Sequence, residues 1–176
     1  RGFGDETRIM SLRECGTITD DAVLAIATGC AHLTSLHLGY TQLTDRSVSQ
    51  IAVGCPHLTT LYLSGVTEVT DDSVVKVARG LPHLENLSLN HTRVTDVGLA
   101  HIGLALTELG RLYLADTTAT DEGLASLAGL SKLTTLMLAA CTQVTDKGVA
   151  KVAAGCSGLS ELFLQETALT DDGVER

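Results

Sequence analysis

The chain lacks several features that would assign it to a common functional class. No stretch approaches the roughly 20 apolar residues that a helix needs to cross a bilayer, and the first residues do not resemble a signal peptide. The 12 lysine and arginine residues are scattered and are outnumbered by 21 acidic residues, which gives a net charge of −9. Because nucleic-acid binding needs a basic stripe, we expect neither a nucleic-acid nor a membrane partner.

Paired cysteines with the spacing of a metal site are also missing. The count of five is odd, which argues against a complete disulfide framework, and no C-x-x-C pair is present to begin a zinc site. Free cysteine packs as a small hydrophobe, so we expect all five to fill the core. Reduced core cysteines in turn predict a reducing compartment, cytoplasmic or nuclear, and no metal or other cofactor is expected.

What the chain does contain is a repeat. A Thr-Asp dipeptide occurs seven times, and successive copies are 25 or 26 residues apart. An unbroken array leaves no place for a linker, so the sequence predicts a single domain over residues 1–176. The pairs are Thr19-Asp20, Thr44-Asp45, Thr70-Asp71, Thr95-Asp96, Thr120-Asp121, Thr145-Asp146 and Thr170-Asp171. The repeats run over about 7–32, 33–57, 58–83, 84–108, 109–132, 133–158 and 159–176.

Six of the repeats carry the spacing L-x-x-L-x-L before the Thr-Asp pair. This alternation predicts a short strand with leucines on its buried side. A period of roughly 20 to 29 residues with this spacing is the pattern of leucine-rich repeats, in which one strand and one helix per repeat stack into a horseshoe. The predicted fold class is therefore α/β, a right-handed leucine-rich-repeat solenoid of about seven strand-helix repeats of about 24–26 residues, with a parallel concave sheet. Thr7, Met10 and Leu12 form a degraded first copy.

Each Thr-Asp pair is predicted to start a helix, because a Thr or Asp side chain can accept hydrogen bonds from the first backbone N–H groups. Negative charge is also favourable at a helix N-terminus. We therefore interpret the aspartates at the predicted helix starts, of which Asp172 is the last, as capping residues and not as metal ligands. Near the helix ends, alanines are expected to keep the helix close to the strands and glycines to form left-handed C-terminal turns. The alanines are Ala27, Ala52, Ala78, Ala128 and Ala153, and the glycines are Gly29, Gly54, Gly80, Gly129 and Gly155.

The cysteines occupy two fixed places in the repeat. Cys30, Cys55 and Cys156 lie three residues before the first strand leucine, and Cys15 and Cys141 lie three residues after the last. The repeat Cys-x-x-Leu-x-x-Leu-x-Leu-x-x-Cys/Thr-x-x-Val/Ile-Thr-Asp-x-Gly-Val/Leu resembles the cysteine-containing subfamily of leucine-rich repeats. That subfamily is typified by F-box leucine-rich-repeat proteins, the substrate receptors of SCF ubiquitin ligases. The resemblance covers essentially the whole chain.

The resemblance implies the substrate-recognition part of an F-box-like ubiquitin ligase receptor, which would hold a protein partner on its concave face. An upstream module, absent from this sequence, would contact the ligase adaptor. Similar repeats also occur in structural scaffold subunits, for example of ciliary complexes, and in bacterial effectors that mimic F-box proteins, and both alternatives stay open. Because polar end caps are missing from the array, we expect the chain to be a fragment of a longer protein, or an array whose ends are covered by a partner.

Two further groups could carry chemistry. Three histidines precede the first strand leucine in successive repeats, and strands about 4.8 Å apart would bring them within reach of one metal ion. Ser88, His91 and Asp116 fall on adjacent strands in the order nucleophile, base and orienter. No oxyanion-hole loop or nucleophile elbow accompanies them, so we expect repeated turn histidines and no enzymatic activity. The histidines are His32, His57 and His83.

Residues between and just after the strand leucines point away from the core. All three tyrosines, one of two phenylalanines and one of two methionines fall there, although aromatic residues make up only 3% of the chain. Such side chains are typical of protein-binding hot spots. We therefore predict a protein-binding site on the concave face, with the alternative that these side chains only shield the leucine layer. The site comprises His37, Tyr40, Tyr62, His91, Tyr113, Met137 and Phe163, with Arg13, Arg111, Glu161 and Glu166 as a polar rim.

Overall fold

The structure, a computed structural model, describes residues 6–171. In this part of the chain, strands of three residues alternate with helices of seven or ten residues. The strands are β1 (Ile9–Ser11), β2 (Ser35–His37), β3 (Thr60–Tyr62), β4 (Asn86–Ser88), β5 (Arg111–Tyr113), β6 (Thr135–Met137) and β7 (Glu161–Phe163). The helices are α1 (Asp20–Gly29), α2 (Asp45–Gly54), α3 (Asp71–Gly80), α4 (Asp96–Ala105), α5 (Asp121–Leu127) and α6 (Asp146–Gly155). The predicted cap Asp172 lies outside the described residues.

The seven strands form one parallel sheet in sequence order, from β1 to β7. The middle residue of every strand pairs with the middle residue of the next, so Leu36 lies beside Leu61 and Leu61 beside Leu87. Met10 takes the leucine position in β1, as the degraded first copy predicts. The predicted fold, an α/β solenoid of leucine-rich repeats, is confirmed.

The core lies between the sheet and the layer of helices. The strand leucines of the second to sixth repeats are fully buried, as are helix residues such as Val48, Ile51 and Leu99. Burying one such side chain contributes roughly 1.5–3 kcal/mol, and stacking lets each repeat bury its apolar face against its neighbours. In the seventh repeat the leucines are only partly buried, since no further coil of the described chain packs on them.

Every helix begins at a Thr-Asp pair, but the two residues act differently from the prediction. Threonine is the N-cap: the Thr44 hydroxyl accepts a hydrogen bond from the N–H of Arg46 in its own helix. The following aspartate does not cap that helix. Its carboxylate instead accepts hydrogen bonds from the threonine of the next repeat, as Asp45 does from the N–H and hydroxyl of Thr70. The predicted capping of their own helices by the aspartates of the Thr-Asp pairs is therefore wrong, because these aspartates link neighbouring repeats. Their predicted place in the first helical turn, where negative charge is favourable, is confirmed.

The glycines near the helix ends also act differently from the prediction. None of them adopts a left-handed conformation, and α5 ends at Leu127, before Gly129. A Cβ atom on Gly54 would lie 2.2 Å from the carbonyl oxygen of Ala27, so glycine is needed there because successive helices approach closely. Gly80 and Gly155 face Ala52 and Ala128 in the same way. The alanines therefore serve helix-to-helix packing, and Ala153, in the last described helix, is exposed.

Four of the five cysteines fill the core, as predicted. Cys30, Cys55, Cys141 and Cys156 are buried, whereas Cys15 is exposed, so the prediction is wrong there. The Cys141 thiol lies 3.1 Å from the carbonyl oxygen of Leu114 in the preceding repeat. Cys15 belongs to the first described repeat, where no preceding coil covers it. All five cysteines are free thiols.

Candidate functional site

The sheet has one face toward the helices and one toward solvent, which we call the exposed sheet face. Strand side chains alternate between the two faces, so the residue after each middle leucine lies on the exposed face. Strand pairing aligns these residues in one row across the sheet. The row is Ser11, His37, Tyr62, Ser88, Tyr113, Met137 and Phe163. The register predicted from the sequence is therefore confirmed.

A cleft of about 370 Å³ lies on this face. All three tyrosines of the chain line it, and we call it the tyrosine cleft. The rings of His37 and Tyr62 are 4.6 Å apart between centroids, and Tyr62 meets Tyr113 edge to face at 6.4 Å. Three aromatic rings from alternate and neighbouring strands therefore form one continuous aromatic surface. The lining residues are Arg13, His37, Gly39, Tyr40, Tyr62, Ser64, Ser88, Asn90, Tyr113 and Met137.

Tyr40 forms one wall of the tyrosine cleft and is held from two sides. A Cβ atom on Gly65 would lie 2.5 Å from its Cδ1 atom, so the ring packs directly on the backbone of the next repeat. The guanidinium carbon of Arg13 lies 5.1 Å from the centroid of the Tyr40 ring. Tyr40 nevertheless remains 47% exposed. The ring is thus fixed in place while much of its surface is open to a ligand.

Tyr40 occupies a backbone position whose conformation the sequence did not reveal. The residue two places after the last strand leucine has a φ between 53° and 72° in all seven repeats. In the left-handed region a non-glycine residue costs roughly 1–2 kcal/mol, and glycine occurs in one repeat only. The N–H of Tyr40 donates to the Ser64 carbonyl. This bond continues the hydrogen bonding between neighbouring repeats beyond the end of the strand, where the chain turns. The residues are Glu14, Tyr40, Gly65, His91, Asp116, Ala140 and Glu166.

Polar groups form the floor of the tyrosine cleft. The hydroxyls of Ser64 and Ser88 are hydrogen bonded to each other. The Asn90 side-chain oxygen accepts a hydrogen bond of 2.8 Å from the N–H of Ala115, which fixes the orientation of the amide. The Asn90 amide nitrogen therefore faces the Met137 sulfur, 4.0 Å away, a weak acceptor. Sequence reasoning missed Asn90, since it lies one residue past the strand leucine in a register that varies between repeats.

The remaining predicted residues lie around the tyrosine cleft and do not line it. Arg111 donates to the Asn86 side-chain oxygen at 2.9 Å, and Glu161 accepts from Thr135 at 3.0 Å. Phe163 lies beside Met137 in the sheet, and Glu166 is exposed at the last left-handed position. Burial raises the pKa of Tyr113, and nearby Tyr62 and Glu161 raise it further while Arg111 opposes them.

The residues that suggested a catalytic triad form only a pair. His91 Nδ1 lies 2.9 Å from a carboxylate oxygen of Asp116, and both side chains are largely exposed. The Ser88 hydroxyl is hydrogen bonded to Ser64, so no observed contact links it to the pair as a nucleophile.

Two of the three turn histidines, His32 and His57, stack as the strand spacing predicts. The rings of His32 and His57 are nearly parallel, with centroids 6.0 Å apart. Over residues 6–171, no group of three or more His, Cys, Asp or Glu side chains could hold a metal ion. Within the same range, no helix has both the length and the apolar character needed to cross a membrane.

The fold and its repeat define the class: the chain is a solenoid of leucine-rich repeats, a fold that presents extended surfaces for binding other proteins. A family model described as Leucine Rich repeat matches residues 29–52 and 80–103, together less than half of the chain. No curated protein matches the chain.

Two solved structures extend the comparison to nearly the whole chain. The crystal structure of internalin C2 from Listeria monocytogenes is similar with 25% sequence identity and a TM-score of 0.63, over 93% of this chain and 73% of that chain. A second internalin of this bacterium, inlF, has 21% identity and a TM-score of 0.58, over 85% of this chain and 46% of that chain. The second likeness shows the fold alone.

Proposed function

We propose that the chain binds a partner protein on its exposed sheet face, with the tyrosine cleft at the centre of the contact, and that it has no catalytic activity of its own. The observation that carries this proposal is that all three tyrosines line one cleft in a chain with so few aromatic residues. Tyrosine buries a large area at low entropic cost and is a frequent binding hot spot, and methionine is enriched at protein interfaces.

Capture of a partner from cell extract by the full chain, followed by affinity measurements on variants, tests this function. Alanine variants of Tyr62, Tyr113 and Met137 should weaken binding by about 2 kcal/mol or more at a true hot spot, roughly 30-fold.

The matched control uses exposed apolar residues on the helices. Val53 and Leu104 are 79% and 80% exposed, so their alanine variants remove exposed apolar surface from the opposite side of the solenoid. These variants should leave the affinity unchanged. Loss of binding from the helix variants, with the cleft variants unaffected, would place the interaction on the helices and refute the proposal.

Within this function, we propose the substrate-recognition part of an F-box-like ubiquitin ligase receptor as the finer role. The support is the cysteine-containing repeat. Cys30, Cys55 and Cys156 are buried at the cysteine position before the strand, and Cys141 is buried at the cysteine position after it. Buried free thiols also favour a reducing compartment, cytoplasmic or nuclear. The sequence encoded upstream of Arg1 tests this role, because an F-box helical module there supports it, whereas further repeats or a coiled coil favour a scaffold subunit.

A further inference from the structure

We propose that the tyrosine cleft takes a basic side chain, arginine or lysine, from a segment of the partner protein. This inference rests on the protein-binding function proposed above and specifies the chemistry that the exposed sheet face recognises. Four features of the cleft support it: its aromatic surface, a cation of the chain itself already seated on that surface, the charges around it, and its hydrogen-bonding groups.

The aromatic surface suits a cation. The face of a tyrosine ring carries negative electrostatic potential, so an ammonium or guanidinium group within about 6 Å of the ring centroid is attracted to it. Tyr62 and Tyr113 meet edge to face, an arrangement in which the two rings do not cover each other completely. At about 370 Å³, the cleft is large enough for one long side chain with part of its backbone.

The chain itself places a guanidinium on this surface. Arg13 lies over the ring of Tyr40 while its Nε atom is 2.9 Å from a carboxylate oxygen of Glu14. The Arg13 charge is therefore compensated by Glu14 and does not repel a second cation strongly. Arg13 is the only lysine, arginine or carboxylate residue among those that line the cleft.

Carboxylates outnumber cations on the exposed sheet face as a whole. Of the strand and turn positions on the exposed sheet face, four carry a carboxylate and two carry a guanidinium. Arg111 is engaged with Asn86, and Glu161 is close enough to Tyr113 to affect its titration. Together with the net charge of −9, this distribution attracts a basic segment and disfavours an acidic one. The carboxylates are Glu14, Asp116, Glu161 and Glu166.

The polar floor completes the recognition. A guanidinium group carries five N–H donors, and the hydroxyl oxygens of Ser64, Ser88 and the tyrosines can accept from them. The Asn90 amide nitrogen, which faces the weak acceptor sulfur of Met137, can donate to a backbone carbonyl of the bound segment. The cleft thus offers acceptors for the charged group and one oriented donor for the peptide that carries it.

Selection of random displayed peptides on the full chain tests this proposal. We retain peptides that bind the wild-type chain and discard those that also bind the Y62A/Y113A double variant; circular dichroism confirms that the variant is folded. The retained peptides should share an arginine or lysine, and replacing that residue with leucine should weaken binding about tenfold or more. E161Q should weaken the binding of the same peptides by about two- to fivefold, and V53A should leave their binding unchanged.

Tyrosine emission gives an independent readout, because the chain has no tryptophan and all its tyrosines line the cleft. A selected peptide without aromatic residues should therefore change the emission on binding. If the retained peptides show no excess of basic residues, or if leucine replaces the basic residue without loss, the proposal is refuted while the binding face stands. If every selected peptide binds the double variant as well as the wild type, the tyrosine cleft as the centre of the contact is refuted, and the function proposed above fails with it.

Discussion

Asp71 and Thr95 are joined by two hydrogen bonds across the boundary between two repeats. One carboxylate oxygen accepts from the Thr95 N–H at 2.9 Å, and the other accepts from the Thr95 hydroxyl at 2.6 Å. The same hydroxyl caps the helix that begins after it, by accepting from the Val97 N–H. Equivalent links occur at Asp20–Thr44, Asp45–Thr70, Asp96–Thr120, Asp121–Thr145 and Asp146–Thr170. The Thr-Asp dipeptide thus both starts a helix and fastens adjacent repeats.

Replacing Asp71 with alanine should lower the free energy of unfolding by about 2–3 kcal/mol. Three donors lose a charged acceptor, since the Gly98 N–H also bonds to this carboxylate at 3.0 Å. A hydrogen bond to a charged group contributes roughly 1.5–3 kcal/mol net, and water can replace part of the lost bonding because Asp71 is only partly buried. D72A is the matched control, because Asp72 is exposed in the first turn of the same helix, where a negative charge is worth about 0.3–1 kcal/mol. Urea unfolding measures both, and equal losses would refute the linking role.

The Asp20–Thr44 link should make stability depend on pH. Burial alone would raise the pKa of Asp20, but hydrogen bonds from Thr44 and Ser47 and the nearby Arg46 outweigh it and hold the pKa below its ordinary value of 3.8. A carboxylate whose pKa is lowered in the folded state stabilises the fold above its unfolded pKa, and the contribution is lost as the pH falls through the folded pKa.

The free energy of unfolding should therefore differ between wild type and D20N at about pH 6, and the difference should shrink at about pH 3. In the T44V variant, NMR titration should show the Asp20 pKa moving upward. An unchanged Asp20 pKa in T44V would contradict the link.

Gly54 and Gly29 provide a matched pair for testing the close approach of successive helices. Both end a helix, but a Cβ atom would meet the Ala27 carbonyl at 2.2 Å on Gly54 and nothing within 4 Å on Gly29. G54A should therefore destabilise the chain by about 1–3 kcal/mol through overpacking. G29A should be neutral or stabilising by up to about 1 kcal/mol, because alanine favours the helix. Thermal unfolding compares them, and equal effects would show that the helices can move apart freely.

The cysteines should fall into two reactivity classes. Burial, with a further contribution from Cys30, raises the pKa of Cys55 to about 11, and burial also raises the pKa of Cys156, so little thiolate is present and access is closed. Cys15 is exposed. At about pH 8, a thiol reagent should modify Cys15 rapidly and the other four only as the chain unfolds in denaturant. C15S should abolish the fast phase, and a persistent fast phase in that variant would contradict the buried positions.

The fold could be predicted well from the sequence, because the strand and the helix start of each repeat follow from residues within that repeat. The L-x-L alternation predicted strands such as Ser35–His37, and the Thr-Asp pair predicted helix starts such as Asp45. Contacts between neighbouring repeats could not be predicted from the repeat pattern. A capping aspartate and a linking aspartate have the same sequence signature, and only the position of Thr70 beside Asp45 separates them. The same holds for Gly54, whose close neighbour is 27 residues away in the chain.

The tyrosine cleft was predicted in part. Strand register predicted that His37, Tyr62, Tyr113 and Met137 lie in one row, but it did not predict the contacts between them. The packing of the Tyr40 ring against Gly65 could not be predicted, because that contact depends on the left-handed turn. Nor did the sequence show that Phe163 stands outside the cleft. The turn position recurs in every repeat, but its residue type varies, so its left-handed conformation could not be predicted, whereas the alternation of the regular strands could.

Site-specific photo-crosslinking tests the central claim, binding on the exposed sheet face, most directly. A benzophenone side chain is placed at Thr60, on the exposed sheet face beside the tyrosine cleft, or at Val53, on the outer side of a helix. The chain is then irradiated with the partner captured by the wild-type protein. We predict a covalent adduct from position Thr60 and none from position Val53. An adduct from Val53 with none from Thr60 would contradict the account.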